Sequence, residues 1–460
     1  MRKSSLLFSL VLVVMLLLSA CAGAAPAQSG VTDTGDTGAT DTSAAAADAG
    51  AADAVDLSEI DTAGLNTDVS GTFSFWNGFT ASDRPVMEEN VAVFDELYSN
   101  VTVNMDIQPW DSLLPKLLPS LRTGSDPDVV SLDGSLIPQY VTAESLLPVG
   151  ELWGSDGLNP DNFSEGVLQG MTVNGNRYGA PIIYYTTLLY MNNDLFTEAG
   201  LPAACPNTWD EWENALLTLT IDENGDGTPE QYGMSWGDHG AVSIWPSLVW
   251  SGGGDFVNED ATESRLDDPA TIAAVQKWGD LIAQDNILAL GLSGVEADNL
   301  FQTSKAAMTV SGPWVSTGFT DAGINFQICP MPEGPAGRYT QGAGVYFVVN
   351  KNSQAPDAVY ELLKFWQSDW AQINWSSKTG FAPTRSDLAN NPEIQGNPNV
   401  KAFADSLPDA RTYLGGVVEY SKINDEIITP AILEVARGNM TAEESLTAAA
   451  TKMNEVLAEQ

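Results

Sequence analysis

GTFSFWNGFTASDRPVMEENVAVFDELYSNVTVNMDIQPWDSLLPKLLPSLRTGSDPDVVSLDG, residues 71–134, alternates extended and helical runs. Thr72-Phe73-Ser74-Phe75-Trp76 reads as a buried strand, and Val86 to Tyr98 carries helical apolar spacing at Val86, Val93, Phe94 and Leu97. Val101 to Ile107 alternates as a second strand, Trp110 to Arg122 is a second helix, and Asp128 to Leu132 is a third strand. This β-α-β-α-β order implies right-handed crossovers and a parallel sheet, which places the chain in the α/β class. Ligands of open α/β sheets collect at the carboxyl ends of the strands. That rule puts Trp76-Asn77 and Asp133-Gly134 at a rim rather than in a core.

A second unit is expected after Tyr178-Gly179-Ala180-Pro181, where one strand, Ile182 to Met191, leads to Asn192, Asn193 and Asp194. Thr208-Trp209-Asp210-Glu211 is a capping box at a helix start, and Thr441 to Glu444 is another. Further helices are predicted at Ala270 to Gln284, Ala355 to Gln367 and Thr441 to Leu457. No fixed period recurs, so a solenoid is not expected. By length the part beyond Gly71 suggests two domains.

Upstream of the fold, Arg2 and Lys3 precede an apolar run from Leu6 to Leu18 and then Ser19-Ala20-Cys21. That order reads as a bacterial lipoprotein export signal, residues 1–21, with Cys21 as the lipidated residue. Residues 22–69 are mostly Ala, Thr, Gly, Ser and Asp and read as a disordered tether, too poor in large apolar groups to fold. The expected location is extracytoplasmic, lipid-anchored to the cell membrane. A formal charge of −42 argues against nucleic acid, anionic headgroups and phosphorylated ligands as partners. His239 is the sole histidine, which excludes His-based metal sites and most His-dependent triads. Cys205 and Cys329 either pair in an oxidising compartment or stand as two buried thiols.

Several blocks in order carry a resemblance. They are Asp128-Val129-Val130, Asn174 to Pro181, Tyr190-Met191-Asn192-Asn193-Asp194-Leu195-Phe196, Ala199-Gly200-Leu201 and Thr208 to Glu211. Later come Lys305-Ala306-Ala307-Met308, Gly312-Pro313-Trp314, Met331-Pro332-Glu333-Gly334 and Thr379-Gly380-Phe381-Ala382-Pro383-Thr384-Arg385. Together they resemble the family 1 extracellular solute-binding proteins of ABC importers, over essentially everything from Gly71 onward. The resemblance implies a two-lobed periplasmic-binding-protein fold with hinge crossovers and a ligand cleft between the lobes. By analogy the crossings lie near Pro181 to Thr186, Ile328 to Pro332 and Gly380 to Arg385. One lobe is then residues 70–181 plus 332–380, and the other 182–331 plus 381–460. Family members mostly capture oligosaccharides, some take polyols or glycerol phosphates, and they deliver their ligand to a permease.

Sugar chemistry leads to the same site. A pyranose offers C–H faces and hydroxyl edges, so it needs flat rings beside amides and carboxylates. Trp76, Asn77, Trp110, Asp133, Tyr184, Tyr185, Trp250 and Trp314 supply both kinds of group and are the expected ligand-binding residues. Trp209, Trp212, Trp278 and Trp366, inside helical patterns, are expected in cores. Asp222, Asn224, Asp226, Thr228 and Glu230 alternate like the first half of a calcium loop, but the twelfth position is Gly233. That loop is either a structural calcium site or an acidic turn.

The expected function is a monomeric, non-enzymatic receptor that captures a carbohydrate by hinge closure and delivers it to the transmembrane subunits of an ABC permease, with no cofactor required. A secreted carbohydrate-active enzyme working with two carboxylates and a calcium-dependent surface adhesin are the alternatives.

Overall fold

The computed structural model describes residues 55, 57–124, 126–154, 157–237 and 244–459. The export signal, Cys21, the tether through residue 54, and His239 lie outside the described residues. No helix among the described residues is long and apolar enough to cross a membrane.

β1 (Gly71–Asn77) pairs in parallel with β2 (Val101–Ile107) on one side and β3 (Val129–Asp133) on the other. The connections are α1 (Arg84–Leu97) and α2 (Trp110–Thr123), as the alternation predicts. β4 (Thr172–Val173) and β5 (Asn176–Arg177) form a hairpin whose turn, Asn174-Gly175, takes φ of 51° and 77°. Positive φ at both central residues is what an Asn-Gly hairpin turn supplies at low steric cost. β6 (Gly179–Thr186) leads straight into β7 (Leu188–Asn192), but the two strands belong to different sheets. β7 lies between β8 (Met308–Ser311) and β9 (Phe326–Cys329), antiparallel to both. β10 (Thr340–Val349) runs antiparallel to β3 and to β6, and β11 (Ala410–Arg411) adds a short parallel pairing to β10.

These sheets are the centres of two lobes. Phe75, Phe347, Trp366 and Trp375 pack in the first core, and Trp212, Trp278, Met308 and Leu446 pack in the second. Trp209, Trp212, Trp278 and Trp366 are all buried core residues, as expected of helical tryptophans. Thr208 caps its helix by accepting from the Glu211 N–H at 3.3 Å. The Glu211 carboxylate accepts from the Asn207 N–H instead, so the reciprocal box predicted there is not formed. At Thr441 and Glu444 both halves are present.

The expected strand Ile182 to Met191 is therefore corrected to two strands broken at Thr187. There the Thr187 N–H donates to the Gln341 carbonyl at 3.1 Å, and the chain changes sheet. The lobe boundary expected at residue 181 accordingly falls after Thr186. The return passage runs on from β9 to the start of β10. The third crossing, expected at Gly380 to Arg385, also lies later. Phe381 is buried in the first core with its ring 5.8 Å from Trp375, and Arg385 pairs with Asp369 at 2.6 Å within the same lobe. The passage is made by the helices Pro392–Gly396 and Pro398–Ser406, where Phe403 packs with Leu188, Tyr190 and Phe319. Tyr413 then stands in the second core. At the other end, the tether expected through residue 69 is packed from Leu57 on. Leu57–Glu59 forms a 3-10 turn, and Ile60 is buried in the first core.

Cys205 and Cys329 are joined in a disulfide with Cα atoms 5.5 Å apart, and it closes a separation of 124 residues within the second lobe. Such a link chiefly limits the freedom of the unfolded chain. Cys205→Ser is expected to lower stability by about 2 to 5 kcal/mol, seen as an earlier urea midpoint; superimposable unfolding curves would contradict that expectation.

Candidate functional site

A cavity of about 1150 Å³ lies between the lobes, at the carboxyl ends of the first-lobe strands. Asp133, the last residue of β3, reaches it as the parallel-sheet rule requires. Its carboxylate accepts from the Ser135 N–H at 2.9 Å, the Ser135 hydroxyl at 2.6 Å and the Tyr185 hydroxyl at 3.2 Å. Burial nevertheless raises its pKa, because these bonds only partly replace lost hydration.

The tryptophans of the cavity are seated on glycines. A Cβ at Gly78 would overlap the indole of Trp110, and a Cβ at Gly312 would overlap the ring of Trp314. Each indole thus packs directly against bare backbone. Trp314 is further held edge-on by Tyr185 at 5.4 Å and lies 6.2 Å from Phe381. The Ser82 hydroxyl donates to the Trp314 carbonyl, and the Ser421 hydroxyl donates to Gln139 at 3.3 Å. These bonds join the lobes at the cavity edge.

Of the residues expected to bind ligand, Trp110, Asp133, Tyr185 and Trp314 border this cavity. Trp76, Asn77, Tyr184 and Trp250 do not. Period-two alternation accounts for the misplaced strand residues. Tyr185 faces the cavity, so Tyr184 faces the opposite side of β6, in the cluster with Val167 and Tyr346. Trp76 likewise packs with that cluster, with the Lys116 ammonium 6.0 Å from its ring, while Asn77 is fully buried. Trp250 is a core residue whose Nε1 donates to Asp255 at 3.1 Å.

Other residues complete the wall. Phe79 lies just beyond β1, a position the strand-end rule covers. Phe381 belongs to the block Gly380-Phe381-Ala382-Pro383 quoted for the family resemblance. Tyr413, Tyr420, Asn424 and Asp425 carry no local signal. Asn424–Ile428 is a π-helical turn, a register change that presents Asn424 and Asp425 to the cavity. Asp83 and Asp298 also border it, from opposite lobes, and burial lifts both carboxyls to about 7.

The loop from Asp222 to Glu230 lies elsewhere and is exposed. Asp222 accepts from the N–H groups of Gly225 and Gly227, Asn224 from Asp226, Asp226 from Thr228, and Glu230 from Glu223. Among the described residues no group of three or more His, Cys, Asp or Glu is placed to hold a metal ion.

A two-lobed α/β body with a cavity between its lobes lined by rings and a few carboxyl groups, and three passages of chain across them, defines a clamshell binding protein. The sequence profile of the family described as bacterial extracellular solute-binding protein matches residues 77–373, and the chain belongs to that family. It is 26% identical over 392 residues to a putative binding protein of Brucella abortus, covering 82% of this chain and 91% of that one. It is 26% identical over 336 residues to a galactooligosaccharide-binding protein of Bacillus subtilis, covering 69% of this chain and 74% of that one. In fold it is similar to the GacH receptor of Streptomyces glaucescens, solved unliganded and with acarbose. The TM-score is 0.75 at 22% identity, over 85% of this chain and all of that one.

The glycine seats and the buried carboxyls each make a testable statement. Gly312→Ala is expected to displace Trp314 and weaken ligand binding by about 1 to 3 kcal/mol, the scale of one lost stacking surface. Calorimetric titration of the responding ligand checks this, and unchanged affinity would remove the seat from the site. Asp83 holds its proton more tightly folded than unfolded, where carboxyls titrate near 4. Its support for the fold is complete below about pH 4 and is lost as pH rises through about 7. Asp83→Asn is therefore expected to flatten the fall in melting temperature across that window, and an unaltered slope would refute the assignment.

Proposed function

We propose that the protein is the receptor of an ABC importer. In this reading it captures an oligosaccharide between its lobes by hinge closure and hands it to the permease from outside the cytoplasm. Cys21 carries the lipid that holds the receptor at the membrane, and the following residues act as its leash. The receptor works as a monomer and performs no covalent chemistry.

The observation that supports this most is the meeting of aromatic rings and a carboxylate in one cavity: Trp110 and Trp314 on their glycines, with Asp133 bonded to Tyr185. Rings match the C–H faces of a pyranose, and carboxylates accept its hydroxyls. The galactooligosaccharide-binding relative points to the same ligand class. Contacts to both lobes favour the closed state, so binding shifts the population toward it.

A panel of malto-, galacto- and chito-oligosaccharides scanned for rising melting temperature tests the reading. A ligand at a hundredfold excess over its Kd is expected to add about 2.7 kcal/mol of stability. The sugar should be recovered intact. Steady appearance of new reducing ends would instead make the protein an enzyme, and silence across the whole panel would remove carbohydrate as the ligand.

A further inference from the structure

The cavity is acidic on both sides. Asp83, Asp111 and Asp133 border it from the first lobe, and Glu296, Asp298 and Asp425 from the second. Arg437, the one cation on its wall among the described residues, is engaged by Glu434 at 3.2 Å. Asp83, Asp111, Asp133 and Asp298 form no ion pair among the described residues. Closing the lobes moves these carboxylates into a drier medium, where uncompensated charge is costly and like charges repel more strongly.

A second observation concerns Gln341, next to the crossing at Thr187. Its side chain is 5% exposed and borders the cavity, yet its Oε1 finds no hydrogen-bond partner among the described residues. A buried acceptor in that position calls for a donor from the guest. A sugar hydroxyl would donate to it, but would leave the negative charge of the wall in place. An ammonium brings three donors and a positive charge, and the indoles of Trp110 and Trp314 attract a cation as well as a sugar face.

Taking the carbohydrate reading as its basis, we propose that the preferred ligand is an amine-bearing saccharide, a protonated amino sugar or a short chain of them. Its ammonium is held by the cleft carboxylates, Asp298 foremost. Asp133 already accepts three hydrogen bonds, whereas the side-chain donor to Asp298 is Ser311, so Asp298 retains the capacity to accept more.

Calorimetric titration of the full-length protein with short glucosamine oligomers and with N-acetylated oligomers of equal length separates the outcomes. The free-amine chain is expected to bind one-to-one and about ten- to a hundredfold tighter, the scale of hydrogen bonds to a charged group. Salt should erode that advantage, Asp298→Asn should bring the ratio toward one, and Trp314→Ala should weaken the free-amine chain, which loose attraction to an acidic surface would not show. Equal or tighter binding of the N-acetylated chain overturns the amine proposal and leaves the importer reading standing. A preference that survives both Asp298→Asn and high salt overturns it too, since the advantage would not be electrostatic. If neither these chains nor any neutral oligosaccharide binds, the carbohydrate reading fails and the proposal falls with it.

Discussion

Short hydroxyl side chains tie the passages between the two lobes to one another. Thr186 meets Ser406 at 2.6 Å, which joins the first passage to the third. Thr187 faces Thr340 at 3.2 Å, and the Thr340 hydroxyl also donates to the Thr187 carbonyl, which joins the first passage to the second. All of these residues are buried. Away from water their hydroxyls need partners, and the partners available lie on neighbouring passages. The break at Thr187 lies among these ties, and the cavity opens beside it at Gln341.

Around these ties the walls are built by economy of volume. Glycine recurs wherever an aromatic ring must lie close to backbone. Gly78 and Gly312 seat the cleft tryptophans, while Gly134, Gly170 and Gly344 crowd the ring of Tyr346, whose hydroxyl donates to the Val167 carbonyl at 2.8 Å. A ring pressed on bare backbone loses little freedom when a guest stacks on its other face, which is how preorganisation lowers the cost of binding. The carboxylates are arranged differently. Asp133 is pinned by three donors, whereas Asp83 and Asp298 are lifted to about 7 by burial, so the wall joins a rigid acceptor to groups that respond to what enters.

Much of this was legible along the chain, and the parts that were not share a cause. The parallel β1-β2-β3 unit follows from local periodicity, and the rim position of Asp133 follows from strand direction. Trp110 and Trp314 were marked by the flat rings a sugar face needs, and Trp314 also by its place in the block Gly312-Pro313-Trp314. Period two, though, does not say which face of a strand looks into the cleft, and so Tyr184 and Tyr185 stood level until the sheet was assembled. Trp250 offers the same kind of ring as the cleft tryptophans, but its helix is buried on every side.

The sequence by itself determined the α/β class, the parallel unit of β1, β2 and β3 and the family, because strand and helix periods and the spacing of short blocks are properties of neighbouring residues. Only the tertiary structure decided where the chain leaves each lobe, that Cys205 meets Cys329, and that Tyr413, Tyr420, Asp298 and Gln341 face one cavity. Those facts depend on contacts between segments a hundred or more residues apart. Such contacts are set by how whole layers pack, and no local pattern records them.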